Sequence, residues 1–295
     1  MFDRIVVATD LSEASTELLR CVAPLAALGA REVVLVHVLS VRDVGGLALR
    51  LRELSWPAIE AQQRTLEGMG YTVRTEIPIG FPHYEITRTA REAGASLVVL
   101  GSHGAGIARA LLLGSVSNEV LQTTTLPVLL VRIGLIEEEG GRHCAAACGD
   151  LPDRLLFPTD FSDTAERAFG FVEHLVKRAH SSVTLLHVQD RSRIDPHLRH
   201  RLDEFNATDR ARLERMAIRL EALGAKAVEP LIAYGFPAPT ILEQAERHSL
   251  VVMGSQGRGF VKGEFLGSVS QKVLRRAPTP VLVVPPVRRD PRKTD

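Results

Sequence analysis

The sequence contains two copies of one pattern, and this repeat restricts the possible folds more than any other feature of the chain. The phrase VVATDLSEA begins at Val6, and its counterpart LFPTDFSDTA begins at Leu156. Residues 101–131 align on 254–284 without a gap and share 15 identities in 31 positions. Such self-similarity indicates duplication of a whole structural unit. The length of 295 residues also suits two domains of about 150 residues each.

Each half alternates short apolar runs with segments of helical spacing. In the first half the pattern predicts strands at 5–9, 33–39, 71–77, 97–100 and 128–133 and helices at 12–29, 47–69, 82–94 and 115–123. Runs such as LVVL, LVVM and VLVV are typical of parallel strands covered by helices on both faces. We therefore expect an α/β fold of two tandem five-stranded, parallel, doubly wound Rossmann-like domains. The expected boundaries are 1–133 for the first domain, 134–152 for a linker, 153–287 for the second domain and 288–295 for a tail.

Composition excludes several classes of protein. Lys and Arg total 36 against 35 Asp and Glu, a net charge of +1, so no basic excess points to nucleic acid or an anionic membrane. No apolar stretch reaches the roughly 18 residues of a membrane span, and the N-terminus lacks the layout of a secretory signal. We expect a cytoplasmic protein. Three cysteines are too few for a disulfide framework. Cys144 and Cys148 are interpreted as a reducible thiol pair, because a structural zinc site needs four ligands.

The most informative motif is G-x2-G-x9-G-S, which occurs once in each half. It consists of Gly101, Gly104, Gly114 and Ser115 in the first half and of Gly254, Gly257, Gly267 and Ser268 in the second. Glycines after a strand let backbone N–H groups approach a ligand without an intervening Cβ. The start of a helix adds unsatisfied N–H groups and the positive end of the helix dipole. The motif therefore predicts a phosphate site at the carboxyl edge of the sheet.

A simpler interpretation of the motif stays open. The glycines could serve only as tight turns and the serines only as helix caps, with Ser268 and Gln271 spaced as a capping box. A Walker loop does not occur in the sequence, and Gly104-Ala105-Gly106 does not continue into a G-x-G-x-x-G dinucleotide signature. A nucleotide kinase and a dehydrogenase are therefore disfavoured.

Taken together, the two Thr-Asp starts, the VHV and LHV strands, the GFP turns, the glycine motif and the closing LPVLLV and TPVLVV segments resemble the universal stress protein family. The resemblance covers nearly the whole chain outside the linker, and the glycine pattern is similar to that of the ATP-binding branch of the family. It implies a bound adenine nucleotide, ATP or else AMP or ADP, with Mg²⁺ as an accompanying ion. The residues implied as nucleotide contacts are Ala8, Thr9, Asp10, Val38, Gly101, Gly104, Gly114, Ser115, Val116 and Ser117 in the first half, and Pro158, Thr159, Asp160, Val188, Gly254, Gly257, Arg258, Gly267, Ser268, Val269 and Ser270 in the second.

The resemblance places adenine near Asp10 and Val38, or near Asp160 and Val188, and the phosphates against the glycines and serines. The halves match the family pattern unequally. The second half has Pro158 and Arg258, where the first has alanine at positions 8 and 105. Because a charge-assisted phosphate contact strengthens binding, we expect the second site to be the stronger one.

Other candidate residues have simpler interpretations. His37 and His187 occupy the same place in the second strand of each half and are expected to be buried and hydrogen-bonded. His103 is replaced by Gln256, which favours a solvent-facing turn. Asp10 and Asp160 are expected to cap the following helix, a role that is compatible with nucleotide contact. The arginine-rich segment 195–224 is interpreted as an amphipathic surface helix.

These observations favour a nucleotide-dependent stress-response regulator with slow or absent hydrolysis, because neither half shows a general base at the phosphate loop or an acidic metal cluster. One alternative is a nucleotide hydrolase or transferase that uses Asp10 or Asp160 with Mg²⁺. Another is a nucleotide-free scaffold that homodimerises. The resemblance also implies that the closing strands pair the two domains about a pseudo-twofold axis, so that one chain imitates a dimer. Whether two chains associate further, and which protein partner is involved, stays open.

Overall fold

The computed structural model describes residues 1–41, 48–102, 113–138, 141–146, 148, 151–195, 198–258 and 266–286. The first repeat contains β1 (Arg4–Thr9), α1 (Glu13–Arg20), α2 (Ala23–Ala27), β2 (Glu32–His37), β3 (Leu39–Ser40), α3 (Ala48–Gly68), β4 (Thr72–Glu76), β5 (Ile79–Gly80), α4 (Pro82–Glu92), β6 (Leu97–Gly101), α5 (Ser115–Thr123) and β7 (Val128–Val131). A connecting hairpin follows, with β8 (Ile133–Glu138) and β9 (Gly141–Ala146).

The second repeat follows the same order of its main elements. It contains β10 (Arg154–Pro158), α6 (Asp163–Ala179), β11 (Ser182–Asp190), α7 (Arg191–Ile194), a short 3-10 helix (Arg199–Arg201), α8 (Leu202–Ala222), β12 (Ala227–Gly235), α9 (Pro237–Ala245), β13 (Leu250–Gly254), α10 (Ser268–Arg276) and β14 (Val281–Val284). None of the helices in the described part of the chain combines the length and apolar content that a membrane span requires.

The main strands form one ten-stranded sheet in the order β12-β11-β10-β13-β14-β7-β6-β1-β2-β4. Within each repeat neighbouring strands are parallel, and the order reverses beside β1 and β10, which each pair with a strand on both sides. The two repeats meet at their closing strands, because β7 and β14 pair antiparallel with Leu129 opposite Leu282. The predicted fold class of two five-stranded, doubly wound α/β halves is confirmed.

The core lies on both faces of this sheet because alternate strand residues point to opposite sides. Ile5 and Val7 pack on one face together with Leu18 of α1, whereas Val6 packs on the other face with Ile86 of α4. All five side chains are at most 3% exposed. This double covering explains why the strands are continuous apolar runs.

Several predicted elements differ from the observed ones. The single helix expected at 12–29 is two helices, because Pro24 lies in the first turn of α2 and has no N–H to continue a helix from α1. The strand expected at 128–133 ends at Val131. The N–H of Ile133 is bonded to the Ser102 hydroxyl instead, and the chain leaves the sheet there to form the hairpin. The predicted linker thus contains strands, while the predicted tail lies outside the described residues.

The cysteine prediction is wrong. Cys21, which follows α1, forms a disulfide with Cys148, and their Cα atoms are 5.2 Å apart. The strand β9 packs against α1, so the chain that leaves the hairpin passes the end of that helix. Cys148 therefore does not pair with Cys144, and the disulfide fastens the connection between the repeats to the first repeat.

Candidate functional site

The carboxyl ends of β10, β11 and β13 surround a cavity of about 780 Å³ in the second repeat. All eleven second-half residues proposed from the sequence line this cavity, although they come from four separate stretches of the chain. These residues are Pro158, Thr159, Asp160, Val188, Gly254, Gly257, Arg258, Gly267, Ser268, Val269 and Ser270. The cavity lies beside β10, where the strand order reverses, which is where open α/β sheets bind ligands.

Asp160 and the glycine turn after β13 are in direct contact. The Asp160 Oδ2 atom accepts a hydrogen bond of 2.7 Å from the backbone N–H of Arg258, and Oδ1 accepts one of 3.1 Å from Ser162 N–H. A Cβ at Gly257 would lie 2.5 Å from Asp160 Oδ2, closer than real Cβ atoms approach. Glycine is therefore required at this position for the close approach of the carboxylate.

Phe161, directly after Asp160, has a φ of +58°, which is uncommon for a residue with a side chain. Its counterpart Leu11 has a φ of +65°. The chain thus makes the same sharp turn after β1 and after β10, and in both repeats this turn directs the aspartate toward the edge of the sheet. Such backbone strain is maintained where the surrounding structure requires it.

The aspartates do not cap the helices, contrary to the sequence-based expectation. The N-cap residues are Ser12 and Ser162, whose hydroxyl oxygens accept hydrogen bonds of 3.3 Å from Ser15 N–H and Ala165 N–H. Each aspartate instead accepts a hydrogen bond from the N–H of its capping serine. Because the serine supplies the helix cap, the second carboxylate oxygen of the aspartate can make another contact. In Asp160 this oxygen, Oδ2, accepts the hydrogen bond from Arg258 N–H.

The predicted capping box at Ser268 and Gln271 is also wrong. Gly267 is the N-cap of α10 with extended backbone angles, and no side chain caps that helix. Ser270 donates its hydroxyl hydrogen to the carbonyl oxygen of Gly254 at 3.0 Å, so it ties the start of α10 to the end of β13. The first turn of α10 thereby faces the cavity with backbone N–H groups that have no partner within the helix.

The first repeat reproduces part of this arrangement. Gly114 is the N-cap of α5, and Ser117 donates to the carbonyl oxygen of Gly101 at 2.7 Å, matching Ser270 and Gly254. The Asp10 carboxylate accepts hydrogen bonds from the hydroxyl groups of Ser12 and Ser15. The corresponding position to Ser15 in the second repeat is an alanine, so only the first aspartate has this hydroxyl partner.

The other first-half residues proposed as nucleotide contacts lie along the same edge. Ala8 and Thr9 end β1, Val38 follows β2, and Ser115 and Val116 are in the first turn of α5. Gly104, Ala105 and His103 lie outside the described residues.

Each strand histidine is hydrogen-bonded, as expected from the sequence. The Nδ1 atoms of His37 and His187 lie 3.0 and 2.8 Å from the carbonyl oxygens of Thr9 and Thr159. Neither residue is fully buried, and the side chain of His187 is 12% exposed. A carbonyl oxygen can only accept, so Nδ1 carries the proton in both rings. In the second repeat Nε2 of His187 also lies 3.3 Å from the carboxylate of Asp209.

Asp209 belongs to a wall of the cavity that the sequence analysis missed. This wall comes from α8, the segment that we interpreted as a surface helix, and its residues at the cavity are Glu204, Phe205, Thr208, Asp209 and Arg212. Asp209 is 9% exposed and accepts a hydrogen bond of 3.2 Å from the Gln189 side chain. The sequence offered one indication, the polar residue Gln189 near the end of the apolar strand β11, where the first repeat has Leu39.

The fold defines a tandem α/β protein in which, in each repeat, a helix with a glycine N-cap starts at the carboxyl edge of the sheet. The model of the universal stress protein family matches residues 1–132 and 152–285. The chain therefore belongs to the universal stress protein family.

The chain is similar to other universal stress proteins over nearly their full length. A universal stress protein of Mycolicibacterium smegmatis is 32% identical over 308 aligned residues, which cover 96% of this chain and 97% of the relative. A universal stress protein structure from Archaeoglobus fulgidus covers 96% of this chain and 98% of its own, with 26% identity and a TM-score of 0.75. Universal stress protein MJ0577 of Methanocaldococcus jannaschii is 30% identical and covers 45% of this chain, the extent of one repeat, and 96% of its own length.

Proposed function

We propose that the protein binds adenine nucleotides and acts as a nucleotide-dependent regulator of a stress response. The single observation that carries this proposal is the convergence of eleven residues from four stretches of chain on one cavity of about 780 Å³. Ligand cavities of small-molecule sites have volumes of roughly 300–1,000 Å³. The ligand is ATP, with ADP and AMP as the shorter relatives, and Mg²⁺ accompanies the polyphosphate.

The residues at the cavity fit the parts of such a nucleotide. The apolar side chains of Val188, Ile241 and Met253 line it and would bury an uncharged base. The start of α10 offers backbone N–H groups and a positive dipole end to the phosphates. An added Cβ would lie 2.5 Å from Asp160 Oδ2 at Gly257 and 3.1 Å from the Thr164 backbone at Gly254, and glycine at these positions suits close approach of a phosphate to the backbone. Arg258 adds a cation beside that turn.

Hydrolysis is proposed to be slow or absent. In the second repeat both carboxylate oxygens of Asp160 accept backbone N–H bonds, from Ser162 and Arg258. This carboxylate is thereby occupied in holding the turn, which does not suit a general base that must take a proton from water. The hydrolase alternative would require Asp160 to leave these partners when Mg²⁺ and ATP bind.

The cellular setting is also proposed. We infer that the protein acts in the cytoplasm, and that the pairing of β7 with β14 lets one chain act as an internal dimer. In this view nucleotide occupancy changes the surface that a protein partner meets at the carboxyl edge. Association of two chains into a homodimer would be a separate contact.

The test is to denature the purified protein and to count the adenine nucleotide released per chain, followed by titration with Mg·ATP. We expect up to two nucleotides per chain, with the second-repeat site lost in Gly267→Glu and the first-repeat site lost in Gly114→Glu. Gly68→Glu is the matched control because Gly68 is an exposed helical glycine with open space around it. Retention of all bound nucleotide in Gly267→Glu, or no binding by the unaltered protein, would refute the proposal and favour the scaffold. Steady release of phosphate well above background would favour the hydrolase.

A further inference from the structure

Two arginines from distant parts of the chain pack against one aromatic ring at the cavity of the second repeat. The guanidinium carbon of Arg212, on α8, lies 5.1 Å from the centroid of the Phe161 ring. The guanidinium carbon of Arg258, in the turn after β13, lies 5.9 Å from the same centroid. All three residues are at the ligand-binding edge, and both arginines line the cavity. Both guanidinium groups are attracted to the same ring through cation–π interaction.

Arg212 is supported from behind by a buried polar cluster. Its Nη1 atom is 3.5 Å from Asp209 Oδ1, while Asp209 Oδ2 accepts from the Gln189 amide at 3.2 Å and lies 3.3 Å from His187 Nε2. The Arg212 side chain is 38% exposed and that of Asp209 is 12% exposed. Because the bond to Asp209 is long, the guanidinium retains donors for another anion. The hydrogen bond from the Gln189 amide holds the carboxylate, and the carboxylate in turn sets the direction in which Arg212 extends.

The first repeat lacks this arrangement. Aligned on the buried leucines Leu66 and Leu220 near the ends of α3 and α8, the repeats place Ser55 opposite Asp209 and Ala58 opposite Arg212. Leu39 similarly replaces Gln189, and position 105, opposite Arg258, is alanine. The strand histidine is nevertheless present in both repeats. Loss of the two arginines together with the polar residues behind them indicates that they form one functional set.

We propose that Arg212 and Arg258 together bind the outer phosphates of the nucleotide in the second repeat, so that this site discriminates a triphosphate from a monophosphate. This inference rests on the proposed nucleotide site and adds to it a residue that determines specificity. The glycine turn and the start of α10 hold the first phosphate, and Arg258 lies beside them. A longer phosphate chain reaches Arg212 across Phe161, where the planar guanidinium makes charge-assisted, two-pronged bonds to phosphate oxygens. Asp209 is a positioning residue for Arg212.

The experiment measures binding of Mg·ATP, ADP, AMP and inorganic tripolyphosphate to the full-length chain by calorimetry. The variants are made in a chain that carries Gly114→Glu, so that only the second-repeat site is titrated. The affinity of that site is also obtained from a two-site fit to the chain without Gly114→Glu. We expect Arg212→Ala to lower the affinity for ATP and for tripolyphosphate by about tenfold or more, as loss of one charge-assisted contact does. The affinity for AMP should change by less than twofold. Arg212→Lys should retain part of the preference. Arg210→Ala is the matched control, since Arg210 is an exposed arginine of the same helix.

The outcomes separate this inference from the proposed function. If Arg212→Ala lowered the affinities for ATP and AMP equally, or left ATP binding unchanged, the role of the arginine pair would be overturned. The proposed nucleotide site would not be affected by that result. Tripolyphosphate binding that depends on Arg212, without any nucleotide binding, would support the pair and overturn the adenine assignment. A chain that binds none of the four ligands would overturn both. Asp209→Asn should lower the ATP preference less than Arg212→Ala, because it removes only the support of Arg212.

Discussion

Single residues show which parts of the site the sequence could predict. The glycine spacing predicted a turn that leaves no room for side chains, and Gly257 lies against Asp160 as such a turn requires. The caps could not be predicted as well, because a Ser-x-x-Gln spacing does not show where the helix begins. At α10 the extended backbone angles fall on Gly267, and this places Ser268 inside the helix. The role of Asp209 depends on a contact between α8 and β11 that no local pattern encodes.

The contact at Gly257 predicts the effect of adding a single methyl group there, as in Gly257→Ala. Gly257→Ala would place a Cβ 2.5 Å from Asp160 Oδ2, so we expect the carboxylate to shift and its bond to Arg258 N–H to weaken. We expect nucleotide affinity to fall by at least tenfold, while the melting temperature changes little because the turn is at the surface. Gly170→Ala is the control, since Gly170 lies on α6, outside the residues that line the cavity, and its added Cβ would meet nothing within 4 Å. Equal losses of affinity in both variants would contradict a specific role for the Gly257 contact.

Among the secondary-structure elements, the connection between the repeats departs most from the sequence-based expectation. Continuous apolar runs predicted the sheet strands well because burial on both faces requires them. The hairpin of β8 and β9 has no such requirement, and its packing on α1 brings together Cys21 and Cys148, which are 127 residues apart. Cysteine spacing alone does not show which pairs form, and it predicted the wrong partner for Cys148.

The disulfide predicts a redox-dependent stability. A cross-link that closes a loop of this length restricts the unfolded chain and stabilises the folded state by roughly 4–5 kcal/mol in the chain-entropy model. We expect dithiothreitol to lower the urea midpoint of the protein, and Cys148→Ala to show the lower midpoint with or without reductant. Cys144→Ala is the control and should respond to reductant as the unaltered chain does. A midpoint that does not depend on reductant would show that the disulfide does not form, as would non-reducing peptide mapping that leaves Cys21 free.

At the scale of the whole molecule, the repeat predicted two similar halves but not the side chains that join them. The closing strands β7 and β14 form one junction. A second junction brings Phe2 of the first repeat against Phe171 and His174 of α6, with ring centroids 5.8 and 5.3 Å apart. Because this contact joins two unlike surfaces, it breaks the internal symmetry. Duplication therefore predicts the architecture of each half and leaves the contact between the halves undetermined.

The second junction predicts that the stability of the whole chain depends on pH. Burial lowers the pKa of His174 below its ordinary value of 6.5, and this outweighs the hydrogen bond that its Nε2 makes to the carbonyl oxygen of Leu28 in the first repeat. The folded protein thus holds this ring neutral, whereas the unfolded chain takes up a proton once the pH falls below about 6.5. The unfolded state then binds more protons, so the free energy of unfolding must decrease as pH falls from 6.5 through the lowered pKa.

We therefore expect urea titrations to give a smaller free energy of unfolding at pH 5 than at pH 7.5, and a smaller difference between the two in His174→Gln, whose amide can still donate to Leu28 but does not titrate. Part of the dependence should remain, because burial also lowers the pKa of His248. His200→Gln is the control, since His200 is exposed and its replacement should leave the dependence unchanged. If His174→Gln kept the full dependence on pH, the junction between the repeats would not be its source, and the two halves would respond to acid independently of their contact.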